Sequence, residues 1–255
     1  HSRSEPNTPC AAFSIVELLV VIGAIAVLLA ILLPALSSAR TAGAETKSLA
    51  NTKSIAAQFA VYTQSHSGKY PRIKPEDAYP IPPRGETNKL YPDPKDTWEA
   101  RSIWPGFFFE NASAFASQVE SWVSPDANIK AILRGEQAFV PHYDYSNSFV
   151  AKPALWDPSA PADLSMLQYV LADDVAQPSA KALTWDRVLM YRRNRPQRLN
   201  SSLRDAPTPI AFADGHAAVH NPRDATEPVE NRLSDKHWRA DPLHNTRNGV
   251  HGRDF

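Results

Sequence analysis

Glu17 is the first residue that calls for a chemical explanation, because it is the single charged side chain in the run FSIVELLVVIGAIAVLLAILL from Phe13 to Leu33. A carboxylate at the centre of a membrane-spanning helix costs about 2.5–3.5 kcal/mol, and less near the helix end. Either Glu17 sits one turn in and reaches back to the headgroups, or it meets a cationic partner inside the membrane. Further along, Asp214, His216 and His220 are spaced so that both imidazoles project from one side of a hairpin, opposite its apolar face. A metal site needs three or four convergent ligands, and this segment offers two or three. A solvated polar face, with Asp214 serving the turn, is the stronger reading, and no metal ligand is assigned. His142-Tyr143-Asp144 has the makings of an acid–base pair, although a Pro-flanked loop with aromatic neighbours accounts for it equally well.

Other chemistry is scarce. The chain carries none of the phosphate-cradling, dinucleotide-binding, zinc-protease or serine-nucleophile motifs, so no catalytic residue and no cofactor is expected. Cys10 is the sole cysteine, which excludes an intramolecular disulfide and a multi-Cys zinc site. Lys plus Arg and Asp plus Glu both number 27. That balance argues against nucleic acid as a partner, since phosphate binding draws on a basic surface. Proline is abundant at 23 and glycine scarce at 9, and most prolines lie between Pro71 and Pro242. That stretch should be rich in extended and irregular chain.

The element that must position Glu17 is a helix. The run from Phe13 to Leu33 is about 21 residues long, which at ~1.5 Å each spans roughly the ~30 Å core of a bilayer. It is too long for a signal-peptide core. Residues 35–66 contain no proline, and Leu49, Ile55, Ala56, Phe59 and Tyr62 recur at helical spacing. One helix from about Phe13 to about His66 is expected, its second half laying an apolar stripe against a head. His66-Ser67-Gly68-Lys69-Tyr70-Pro71 then carries the stop signals.

Phe13-Ser14-Ile15-Val16-Glu17-Leu18-Leu19 followed by Val20-Val21-Ile22 resembles the prepilin-type cleavage and methylation motif of type IV pilin-like proteins and type II secretion pseudopilins. The resemblance is close over residues 13–71 and looser over roughly 165–220. It implies cleavage by a prepilin peptidase between Ala12 and Phe13, and N-methylation of Phe13. Ala12 stands where the family usually has Gly. Glu17 would pair with the terminal ammonium of a neighbouring subunit, and Pro34 falls where pilins carry a helix-kinking proline. The partners implied are homologous pilin-like subunits, the peptidase, an inner-membrane assembly platform and the lipid bilayer. Only Arg3 precedes the span as a fixed positive charge, whereas Arg40, Lys47 and Lys53 follow it, so a simple charge count puts the head in the cytoplasm. The resemblance implies the opposite: a single-pass protein of the bacterial inner membrane with a periplasmic head. The chain opens on His1 and not methionine, which leaves room for residues ahead of it.

The implied fold class is α+β: a long N-terminal membrane-spanning helix packed on a small antiparallel sheet, with a Pro-rich irregular insertion. Five segments follow: a leader over 1–12, the transmembrane half of the helix over 13–36, its periplasmic half over 37–66, a pilin-like head over 67–220 and a charged tail over 221–255. Within the head, residues 72–110 read as a wrapped loop whose Trp98, Trp104, Phe107, Phe108 and Phe109 plug the gap to the helix. Residues 112–123 and 127–134 suit short helices. Met166–Leu171 and Ala182–Trp185 are strand candidates. Asp173-Asp174 is a candidate for calcium only by analogy with loops of major pseudopilins. Around Asp214-Gly215, residues 209–220 predict a two-residue type I′ hairpin pairing Phe212 with Ala217 and Ile210 with Val219. Its face of Ile210, Phe212 and Val219 is expected to dock on the helix. The tail reads as a poorly ordered or surface-wrapping segment.

As a function, a structural subunit of a secretion or pilus-like assembly leads. The alternative is a membrane-tethered periplasmic binding or enzymatic domain.

Overall fold

The computed structural model describes residues 14–72, 101, 104–108, 112–136, 139, 141–192, 206–233 and 240–255. The chain divides into two units, His1–Gly43 and Ala44–Phe255. The described part of the first is the beginning of α1, a helix of 51 residues over Ile15–Ser65. Every residue from Ser14 to Arg40 is exposed, and the exposed side chains are almost all Leu, Ile, Val and Ala. A helix that is apolar on all sides belongs in protein core or in lipid, and none of this apolar stretch is buried in the protein. Among the described residues it is the one helix long and apolar enough to cross a membrane. Pro34 lies inside it. Lacking an N–H, it leaves one helical hydrogen bond unmade.

The second unit is an α+β head that includes the rest of α1. There the buried helix residues are Ser48, Thr52, Ile55, Ala56, Phe59 and Thr63, one face at helical spacing. The expected apolar stripe is half right. Leu49 and Tyr62 sit at the margin, half-buried, and the buried face takes in the hydroxyl residues Ser48, Thr52 and Thr63. The stop signals act as expected: Ser67 and Gly68 take positive φ (55° and 78°), and the Gly68 N–H donates to the Thr63 carbonyl at 2.7 Å. Two short helices follow, α2 over Ala112–Gln118 and α3 over Ile129–Leu133, the latter capped by the Asn128 side chain.

Four strands form one antiparallel sheet in the order β1 (Tyr143–Tyr145), β2 (Ala182–Asp186), β3 (Thr208–Phe212), β4 (Ala217–His220). The strand expected over Met166–Leu171 does not form. Asp163 caps a 3-10 turn at Leu164–Met166 by accepting from the Ser165 N–H at 2.8 Å, and only an isolated bridge joins Leu171 to Lys69. The side-chain cap diverts the chain into a turn before pairing can start.

The hairpin exists with its register moved by one residue. Ile210 faces Ala218 and Pro209 faces Val219. Asp214 has no positive φ, as a type I′ turn would need; only Gly215 does, at 89°. The Asp214 carboxylate accepts the His216 N–H at 3.1 Å, which closes a three-residue loop with Gly215 in the left-handed position. Because side chains alternate, Val219 turns out to solvent. Ile210 and Phe212 pack with Ala182, Trp185 and Leu243 in a small core of their own, while Ala211 on the other face joins the large core containing Ile55, Ala56 and Phe59. The expected docking of Ile210, Phe212 and Val219 on α1 is therefore wrong.

The aromatic plug holds for the residues described. Phe59 of α1 meets Trp104, Phe108 and Tyr145 at ring-centroid distances of 5.6, 5.0 and 4.7 Å, and Tyr62 meets Phe107 at 6.2 Å. The Trp104 indole donates to the Tyr143 carbonyl at 2.8 Å. Trp98, Phe109 and nearly all of the Pro-rich loop lie outside the described residues. Of the tail, expected to be poorly ordered or surface-wrapping, the part over 240–255 buries Leu243, His244, Asn245, Thr246, Val250 and Asp254.

Candidate functional site

Ala12 and Phe13 lie outside the described residues. The structure begins at Ser14, and what it makes of Glu17 is specific. The Glu17 carboxylate accepts the Ser14 N–H at 2.9 Å, while the Ser14 hydroxyl accepts the Glu17 N–H at 3.1 Å. This is a reciprocal capping box, which satisfies two of the donors that a helix start leaves open. The acidic residue thus has a role within its own chain, one the sequence shows as Ser-x-x-Glu ahead of an apolar run. Pro34 makes no site with Glu17; the two lie on one exposed helix, far apart in sequence.

Where α1 enters the head, a polar joint forms that sequence reading missed. Asp186, fully buried at the end of β2, accepts the hydroxyls of Ser48 (2.7 Å) and Ser124 (2.8 Å) and the N–H groups of Val188 and Leu189 (both 3.0 Å). These hydrogen-bond partners are neutral. Burial pushes the Asp186 carboxyl above its ordinary range, against the pull of these hydrogen bonds. The Tyr143 hydroxyl adds bonds to Ser48 and to the Asn51 side chain, both at 3.2 Å, and burial together with the Asp186 charge holds its phenol well above the usual value. Thr52 turns its hydroxyl back onto the Ser48 carbonyl at 2.7 Å. Around this centre, Arg192 pairs with Glu45 at 2.5 Å and Lys47 pairs with Glu120. The joint fixes helix, sheet and the α2 region to one another. Its sequence signal was Ser48 and Thr52 at i and i+4 beside the apolar stripe.

The candidate chemistry residues separate. His142 does not pair with Asp144: its Nδ1 accepts the Ser124 N–H at 3.0 Å, and burial, helped by the Arg187 charge, pushes it down to about 4. Burial works to raise the Asp144 carboxyl, but Arg187 at 3.3 Å and His244 at 3.2 Å outweigh it and hold the group below its ordinary value. Asp174 accepts the Leu171 N–H at 2.9 Å, capping its own turn. His216 and His220 share one side of the hairpin as expected, but it is the apolar side: His216 stacks on Phe212 at 4.3 Å and His220 meets the same ring edge-on at 5.5 Å. Asp214 bonds the His216 imidazole at 2.6 Å. Among the described residues no three His, Cys, Asp or Glu side chains converge so as to hold a metal ion.

No family model, no curated protein and no solved structure matches this chain.

Proposed function

We propose that this chain is a pseudopilin, a structural subunit of a type II secretion or type IV pilus-like assembly, processed by a prepilin peptidase between Ala12 and Phe13. In this reading it spans the bacterial inner membrane once, holds its head in the periplasm, and joins homologous subunits and the assembly platform, without catalysis, cofactor or nucleic acid. The observation that carries the reading is α1 itself: one helix over Ile15–Ser65, apolar and unburied at its start, with a buried face in an α+β head at its end. The run Phe13–Leu19 supplies the processing motif at the place where such a helix would begin.

One observation favours the second reading, a tethered binding or enzymatic domain: the capping box gives Glu17 a reason to exist in a mere anchor. Glu17→Gln separates the two, because glutamine serves a capping box as glutamate does but carries no charge to pair with an ammonium. Under the pseudopilin reading the variant inserts and folds but fails to enter filaments, scored by electron microscopy or by cysteine cross-linking between subunits. Filaments formed at the wild-type level would sink that reading and leave the anchor.

A further inference from the structure

The C-terminal segment is held to the sheet by a buried pair that the mechanism of assembly does not use. Lys181, at the start of β2, and Asp254, 73 positions later, are both shut off from solvent, with the ammonium 3.0 Å from Asp254 Oδ2. The remaining polar neighbours of Lys181 Nζ are the hydroxyls of Ser148, at 3.2 Å, and Thr246, and the Phe149 ring lies 5.9 Å away. Each oxygen of Asp254 has its own partner. The Ala182 N–H donates to Oδ2 at 2.9 Å, and the Thr246 hydroxyl donates to Oδ1 at 2.5 Å. Thr246 therefore bridges the nitrogen and the carboxylate oxygen farther from it in the hydrogen-bond network.

We infer that Lys181 and Asp254 condense to an intramolecular isopeptide bond, a covalent clasp of the C-terminal segment onto the sheet. The step needs no co-reactant. One proton moves from the ammonium through the Thr246 hydroxyl to Oδ1, giving a neutral amine and a neutral acid. A dry site favours this exchange, because two charges out of water are costly. Burial, opposed by Asp254, holds the Lys181 amine below the ordinary lysine range. Nζ then attacks Cγ, the Ala182 N–H stabilises the developing charge on Oδ2, and Thr246 relays a second proton from nitrogen to Oδ1. The Cγ–Oδ1 bond breaks as the N–Cγ bond is completed. Oδ1 leaves as water with two protons that both came from the ammonium, so atoms and charge balance and nothing is oxidised.

The inference stands apart from the filament reading, since it depends on the head alone. The full chain, extracted in detergent, is measured by intact mass and by tryptic peptide mapping. The expected result is a mass lower by one water, together with a branched peptide in which the segment beginning at Asp254 hangs from Lys181. Trypsin cuts after Arg253 and does not cut at an acylated lysine, so the branch survives digestion. Thr246→Val, which keeps the side-chain shape, should lower the rate of linkage about a hundred-fold by removing the relay. A full, unreduced mass overturns the inference, as does a loss of water without the branch, which signals cyclisation of Asp254 on its own backbone. Linkage at an undiminished rate in Thr246→Val overturns the relay as written.

Discussion

The two ends of α1 obey different rules within one helix. From Ser14 to Arg40 every residue is exposed, and the apolar side chains show no preferred face. From Ser48 to Thr63 a single face is buried, and half of it is polar: Ser48 and Thr52 on one side and Thr63 on the other flank Ile55, Ala56 and Phe59. A solvent of hydrocarbon needs only apolar surface with the backbone bonds closed internally. A protein core asks for shape and for partners to every buried donor and acceptor. Mutations at the two ends should therefore report on different things.

The largest contrast is expected from truncating one large side chain at each end. Phe59→Ala removes a ring that touches Trp104, Phe108 and Tyr145. It should destabilise the head by about 3–5 kcal/mol in denaturant melts. Leu29→Ala, in the exposed stretch, should leave the head's melting unchanged. A measurable loss there would mean the first unit contributes to head stability.

Acid should act on the head through a buried histidine. His142 is buried and its pKa is pushed from the ordinary value of 6.5 down to about 4. A folded-state pKa below the unfolded one means that the unfolded chain binds the proton first. Stability contributed by this group is thus complete above pH 6.5 and is lost as pH falls toward 4. The loss is at most on the order of 3 kcal/mol. His142→Asn should flatten that part of the stability profile, read as melting temperature against pH. A profile unchanged by the substitution would contradict the assignment.

These contrasts bear on what could be read from residues alone. The long helix, its stop at Ser67-Gly68 and the aromatic plug were legible because apolar periodicity and glycine punctuation are local signals. Ser48 was not, because periodicity weighs apolar residues and ranks Leu49 above it; only the buried Asp186, 138 positions on, turns a small hydroxyl inward. Asp214-Gly215 suits both a two-residue and a three-residue loop, and the choice rests on one side-chain bond, from Asp214 to the His216 N–H. The buried contacts of the tail are non-local in the same way. Its charges and prolines look like solvated chain, yet Asp254 finds Lys181 and His244 finds Asp144 across gaps that no window spans. Glu17 was the reverse case. Its Ser-x-x-Glu spacing is a local signal, and the cap it forms is complete within four residues.

The smallest effect sharpens the joint itself. Ser48→Ala deletes one hydrogen bond to a buried carboxylate and should cost about 1.5–3 kcal/mol, the range for bonds to charged groups. Asp186→Asn should cancel most of that sensitivity. A double-mutant cycle by chemical denaturation gives the coupling, and additivity of the two changes would show that Ser48 and Asp186 do not act together.

The central proposal is that the exposed start of α1 is an assembly helix released by a peptidase, and the N-terminus tests it most directly. The chain is produced in cells with and without an active prepilin peptidase, extracted from the membrane, and its first residue read by mass spectrometry. The expected result is a chain beginning at N-methylated Phe13 only when the peptidase is active. Residues up to Ala12 still attached in its presence, with no methyl group on Phe13, would contradict it.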